Sequence, residues 1–169
     1  MAESALTSRE RILALVEAEP GLHLRELPRR LGLSLRSVRY HLEVLARQEL
    51  VTPHRSGRFE RWFLSRVFPQ PDRAIISALR VRGQRAILQH LLRHGPTRSA
   101  ALQATIEGST VSVTRWLANL VDQGLVIVGA DRQYRLRDPR ALAVRLSEYR
   151  DRFPELLADA AREIFDEEP

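Results

Sequence analysis

The sequence predicts a mostly α-helical fold with short β-hairpins, in which one unit of three helices and a hairpin is built twice and followed by amphipathic helices. Three observations carry this. The first is a repeat. Shifted by 75 residues, Ile12-Leu13 falls on Ile87-Leu88, Leu27 on Leu102, Ser34 on Ser109, and Ser37-Val38 on Ser112-Val113. Leu42, Leu45, Gln48 and Leu50-Val51 fall on Leu117, Leu120, Gln123 and Leu125-Val126, and no gap is needed from Ile12 to Val51. The second is that the matching positions are mostly apolar, so what repeats is a core. A period of this length is too long for a solenoid unit and fits two copies of one small domain. The third is that each copy closes with a short strand, a turn and another strand. The boundaries that follow are a first domain over 1–66, a linker over 67–72, a second domain over 73–138 and a helical tail over 139–169.

In the first copy, Thr7 followed by Glu10 reads as a capping box opening a helix that runs to about Glu19. Ile12, Leu13 and Val16 supply its buried stripe, and Pro20-Gly21 stops it. Leu24 to Arg30 reads as a second short helix, with Pro28 inside it where it would tighten or bend the turn. Gly32 sits in the following tight turn. Ser34 caps a third helix with Val38, Leu42 and Leu45 at helical spacing on its inner face. Leu50-Val51-Thr52 is a strand, His54 to Arg58 a turn with Gly57 at positive φ, and Phe59 to Leu64 the returning strand.

The outer face of the third helix carries Arg36, Ser37, Arg39 and Tyr40, with His41 at its margin. Arginines among small polar groups on the first turns of a helix suit entry into a major groove, where they touch base edges and phosphates. The hairpin tip adds His54, Arg55 and Arg58, placed to lie along a phosphate backbone or in the minor groove, with Arg29 and Arg30 nearby. Helix, helix-turn-helix and hairpin in this order define a winged helix. The segment GLHLRELPRRLGLSLRSVRYHLEVLARQELVTPHRSGRFERWFL closely resembles archaeal and bacterial winged helix-turn-helix transcription regulators of the ArsR/MarR-like superfamily. The resemblance implies double-stranded DNA as partner and Ser34, Arg36, Ser37, Arg39 and Tyr40 as groove contacts. The cysteine motif of the metal-sensing relatives is missing, so no metal sensing through that site is implied.

The second copy is not an equal partner. Pro69-Gln-Pro71 reads as the linker and Asp72 to Leu79 as a connecting helix, with Gly83 as a break before Gln84–His94. Thr97 is expected to cap the next helix, and Ser109 or Thr110 the second recognition helix. Leu125–Val128 and Arg132–Leu136 make a shorter wing, with Tyr134 and Leu136 matching Trp62 and Leu64 after a three-residue deletion. Where the first copy has Arg36, Arg39 and His41, the second has Val111, Thr114 and Trp116, leaving Arg115 as the helix face's only charge. Thr110, Val111 and Thr114 could meet thymine methyls, or this face could bury against protein. Arg132 and Arg135 keep a phosphate role open. The tail carries Leu142, Leu146, Tyr149, Phe153, Leu156, Leu157, Ala160, Ile164 and Phe165 on one stripe, with Pro154 starting a new helix. That stripe either covers the second copy or forms a dimer seam.

Composition bounds the partners. All 27 basic residues are arginine against 21 acids, a net charge of +6. Residues 1–66 carry 12 Arg against 8 acids and 67–138 carry 10 against 5, whereas 139–169 carry 5 against 8. A GC-rich genome accounts for the absence of lysine, and arginine's planar fork also suits phosphate and guanine edges. There is no Cys, no secretory signal at Met1-Ala-Glu-Ser and no apolar run of roughly 20 residues, so a cytoplasmic, nucleoid-associated protein without a membrane partner is expected. No phosphate loop, nucleophile set or carboxylate pair is evident, so neither catalysis, a cofactor nor a small-molecule ligand is expected. His90 and His94 stand at metal-ligand spacing, but without a third ligand no metal site is assigned. The expected function is sequence-selective regulation of transcription, with a homodimer left open by the sequence. Two alternatives compete: an architectural chromatin protein without a defined operator, and a tandem winged-helix scaffold that binds protein.

Overall fold

The computed structural model describes residues 6–154, and the chain divides into two compact units, Met1–Arg73 and Ala74–Pro169. In the first, helix α1 spans Ser8–Ala18 behind a complete capping box: the Glu10 N–H donates to Thr7 Oγ1 (3.3 Å) and Glu10 Oε2 accepts the Thr7 N–H (2.7 Å). Strand β1 (Leu22–His23), helix α2 (Glu26–Leu31), helix α3 (Leu35–Arg47), strand β2 (Val51–Ser56) and strand β3 (Phe59–Leu64) follow. The strands form an antiparallel sheet in the order β1-β3-β2. Helices and sheet close over Ile12, Val16, Leu22, Leu27, Leu31, Val38, Leu42, Leu45, Val51 and Trp62.

Local chemistry moves several expected boundaries. Leu24 does not open a helix. Leu22 and His23 pair with Trp62 and Arg61 of β3, Glu26 Oε2 accepts the His23 N–H (2.8 Å), and α2 begins only at Glu26. A two-residue strand has no periodicity of its own, so only its pairing partner reveals it. Pro28 therefore falls in the first turn of α2. Its missing N–H is one that the helix could not have bonded anyway. The hairpin turn is also tighter than expected: His54 and Arg55 lie in β2, leaving Gly57 (φ +60) and Arg58 as the turn. Positive φ at the first central residue alone is the pattern of a type II′ turn, which glycine enters without strain.

Helix α4 (Gln70–Leu79) crosses the division between the units. The segment 67–72, expected as a linker, holds the buried Phe68 and the first turn of α4, and Arg73 Nε donates to the Phe68 carbonyl (2.8 Å). Residues Ala74 to Leu79 are all buried.

The second unit continues with α5 (Arg82–His94), β4 (Thr97–Arg98), α6 (Ser99–Thr105), α7 (Thr110–Asp122), β5 (Val126–Val128), β6 (Gln133–Leu136) and α8 (Pro139–Arg152). Its strands are ordered β4-β6-β5, antiparallel. Eight of the ten core residues of the first unit have a buried counterpart 75 residues on: Ile87, Leu91, Leu102, Ile106, Val113, Leu117, Leu120 and Val126. The sequence repeat is thus a repeat of buried positions.

Two expectations fail here. Thr97 does not cap a helix but pairs with Tyr134 in the sheet, and Arg98 stands at the N-cap of α6. Gly83 is not a break. It lies in the first turn of α5, buried beneath the indole of Trp116. Asp138 caps α8, which buries Leu142, Leu146 and Tyr149; Phe153 is buried just past its end. The remainder of the expected tail stripe, Leu156 to Phe165, lies outside the described residues.

Candidate nucleic-acid interface

The first unit presents α3 and the β2–β3 hairpin on either side of a cleft of about 820 Å³. Leu35, Arg39 and Glu43 line the helix wall, one turn apart. Arg55, Arg58, Phe59 and Glu60 line the hairpin wall, while His23, Leu24 and Arg25 close one end. Four guanidiniums, on both walls and at one end, thus share a concave surface with two carboxylates. Opposed cations raise the local concentration of a polyanion and hold it through charge-assisted bonds.

Ser34 positions the helix wall. Its Oγ accepts the Ser37 N–H (3.1 Å), satisfying a donor at the end of α3. Ser34 thus serves the cap while its hydroxyl hydrogen stays able to donate, and Ser34→Ala should cost about 1 kcal/mol of stability by denaturant unfolding, with Ser34→Asp close to wild type. Beyond the cap, Arg36, Arg39 and Tyr40 are exposed, Tyr40 by 56 %. Neither Arg36 nor Arg39 has an ion pair or hydrogen bond of its side chain among the described residues.

The other expected contacts separate into two groups. Arg58 stacks over the Phe59 ring (5.6 Å to its centroid), and Arg55 lies opposite Glu60 in the strand register. Arg29 is exposed. Arg30, in contrast, is tied to Glu19 (3.0 Å), and His54 turns edge-on to Phe63 (6.1 Å), off the cleft. The sequence reading missed His23, Arg25, Glu43 and Phe59 as cleft residues. Arg61 was not singled out either. Buried at 6 % exposure, its Nη1 donates to the Gly21 carbonyl (2.9 Å), which ties β3 to the chain entering β1.

His23 sits edge-on to Phe59 (4.9 Å), and its Nδ1 accepts the Arg25 N–H (3.2 Å), so the neutral ring carries its proton on Nε2. Burial, reinforced by the Arg61 guanidinium, holds its pKa below the usual 6.5. The unfolded chain therefore takes up this proton first as pH falls. The stabilisation is complete above about 6.5 and is lost as pH drops through that value toward the lower folded pKa. His23→Gln should accordingly lose less melting temperature than wild type between about pH 7 and pH 5, read by thermal unfolding.

The second unit offers a different surface. Thr110 and Arg115 are exposed, and Val111 is 74 % exposed. Thr114 Oγ1 donates to the Thr110 carbonyl (2.8 Å) and accepts from Gln103 (3.3 Å). Trp116 leaves the outer face for Gly83 and Gly108. In the short hairpin Arg132 is exposed, but Arg135 is held by both oxygens of Asp131 (2.9 and 2.8 Å). His90 and His94 have ring centroids 4.6 Å apart, and no cluster of three or more His, Cys, Asp or Glu that could hold a metal occurs among the described residues. Burial and the neighbouring His94 hold the His90 pKa below its usual value. No helix among the described residues is long and apolar enough to cross a membrane.

Residues 6–76 match the family model described as an N-terminal HTH domain. This stretch, α1 through most of α4, is therefore similar to a helix-turn-helix domain, and the cleft lies within it. No curated protein matches the chain. Among solved structures, the chain is similar to the DIP2311 protein from Corynebacterium diphtheriae, with 23% identity and a TM-score of 0.29. The match covers 76% of this chain and 26% of that one, so the chain spans about a quarter of that protein's length.

Proposed function

We propose that this protein is a transcriptional regulator that binds double-stranded DNA selectively through its first unit, with α3 in the major groove and the β2–β3 hairpin along the backbone as a wing. The observation that carries the reading is the cleft itself: four arginines line it, while Arg36 and Arg39 on α3 have no competing partner among the described residues. The second unit repeats the architecture, giving a tandem pair of winged helices of which the first reads DNA. With one reading helix per chain, a two-fold operator would be met by a homodimer. The expected location is the nucleoid.

Fluorescence anisotropy on random and genomic duplexes tests this. A regulator should prefer its best sites by about 10³ or more. Tight binding with a ratio near one would instead favour an architectural chromatin role. A second reading, docking of protein on α7, is favoured by the sparsely charged face around the exposed Val111, where Arg115 is the one charge. It predicts that the first unit's arginines are dispensable for partner binding.

A further inference from the structure

A surface that serves a polyanion gains nothing from a carboxylate, yet Glu43 stands on the cleft wall of α3 one turn beyond Arg39. Its ion-pair partner among the described residues is Arg47, at the 4.0 Å limit with both side chains more than half exposed. An exposed pair of this kind contributes little to stability. The other cleft carboxylate, Glu60, lies opposite Arg55 in the strand register, which gives it a structural account that Glu43 lacks.

The repeat supplies a second observation. Seventy-five residues on, Arg36, Arg39 and Glu43 become Val111, Thr114 and Ala118. The three charges are present together in one copy and absent together in the other, while the buried residues between them are kept as Val38/Val113 and Leu42/Leu117. The carboxylate therefore travels with the arginines of the reading face. Arg36 and Glu43 are seven residues apart, on one stripe and about 10 Å along the axis, which is about three base pairs at 3.4 Å each.

On the reading that the first unit binds duplex DNA, we infer that Glu43 is a specificity-determining residue, whose carboxylate accepts the N4 amino group of a cytosine in the major groove and repels any backbone placed there. A carboxylate is the side chain suited to cytosine, whose only major-groove polar feature is that donor. Against guanine or thymine it meets only acceptors, and against adenine the N7 acceptor beside the N6 donor, so the penalty is discrimination by repulsion, strongest against guanine and thymine.

The test uses the full chain. A preferred duplex is selected with wild type, and binding to it and to random duplex is then measured for wild type, Glu43→Ala, Glu43→Gln and Arg47→Ala. The expected result is that Glu43→Ala binds random duplex more tightly than wild type does, while its preference for the selected site falls by at least about fivefold. Replacing one cytosine of the selected site should cost wild type at least about fivefold and cost Glu43→Ala little. Arg47→Ala, which removes the ion pair alone, should keep the preference. Unchanged preference in Glu43→Ala, or equal loss in Arg47→Ala, would overturn the inference while leaving DNA binding intact. If wild type itself prefers no duplex, the regulator reading falls first and this inference with it.

Discussion

Replacing Arg36 and Arg39 together by alanine will weaken binding to a selected duplex by at least about 30-fold, since a good side-chain contact to a base edge is worth about 1–3 kcal/mol each. Both side chains are exposed and unpaired among the described residues, so the fold loses no contact with them and the melting temperature should stay at the wild-type value. A control pair of exposed arginines in the second unit, Arg115→Ala/Arg132→Ala, should cost far less. The short hairpin there already spends Arg135 on Asp131, whose carboxylate would repel a phosphate. An equal loss in the two double variants would mean that both units read DNA. No loss in the first would remove α3 from the interface.

Gly83→Ala will destabilise the protein, against the usual direction for a helical glycine. In an open helix the exchange gains up to about 1 kcal/mol. Here a Cβ would meet Cζ3, Cε3 and Cη2 of Trp116 at 2.2–2.4 Å. These are ring atoms of a half-buried indole that also packs on Gly108, so the ring must move as a body. Overpacking of this kind typically costs about 1–3 kcal/mol. In a Trp116→Ala background the same substitution meets no ring and should become neutral or stabilising. Denaturant unfolding of the four proteins in the cycle reads that change of sign. Additive effects would show that the contact between Gly83 and Trp116 is not what fixes glycine there.

How much of this was legible in the sequence depends on whether a feature is local. The helices announced themselves through caps and periodicity: Thr7 with Glu10, and Ser34 ahead of Val38, Leu42 and Leu45, are self-contained signals. The repeat located the core because apolar identity at a fixed offset tracks burial, as the matched pairs Ile12/Ile87 and Leu42/Leu117 do. What escaped depends on a distant partner. Strand β1 exists because Leu22 and His23 find β3 some 40 residues away, and β4 likewise finds β6. Gly83 reads as a helix breaker until Trp116 is placed on it.

The same division governs the site. Arg36, Arg39 and Tyr40 were readable as the outward face of one helix. Glu43 belongs to that helix as well, but its meaning depends on the hairpin across the cleft. Arg30 and His54 are arginine and histidine of the expected kind in the expected region, and only the fold assigns them to Glu19 and Phe63.

The central claim is that the first unit grips duplex DNA through arginine. The most direct measurement is the affinity of the whole chain for duplex DNA across a salt titration, beside the same titration for Arg55→Ala/Arg58→Ala. Each phosphate contact contributes about 0.9 to the slope of log affinity against log salt. Wild type should show a steep fall, and the variant a slope shallower by about two. Absence of binding at about 50 mM salt, where phosphate contacts are strong, or identical slopes for the two proteins, would contradict it.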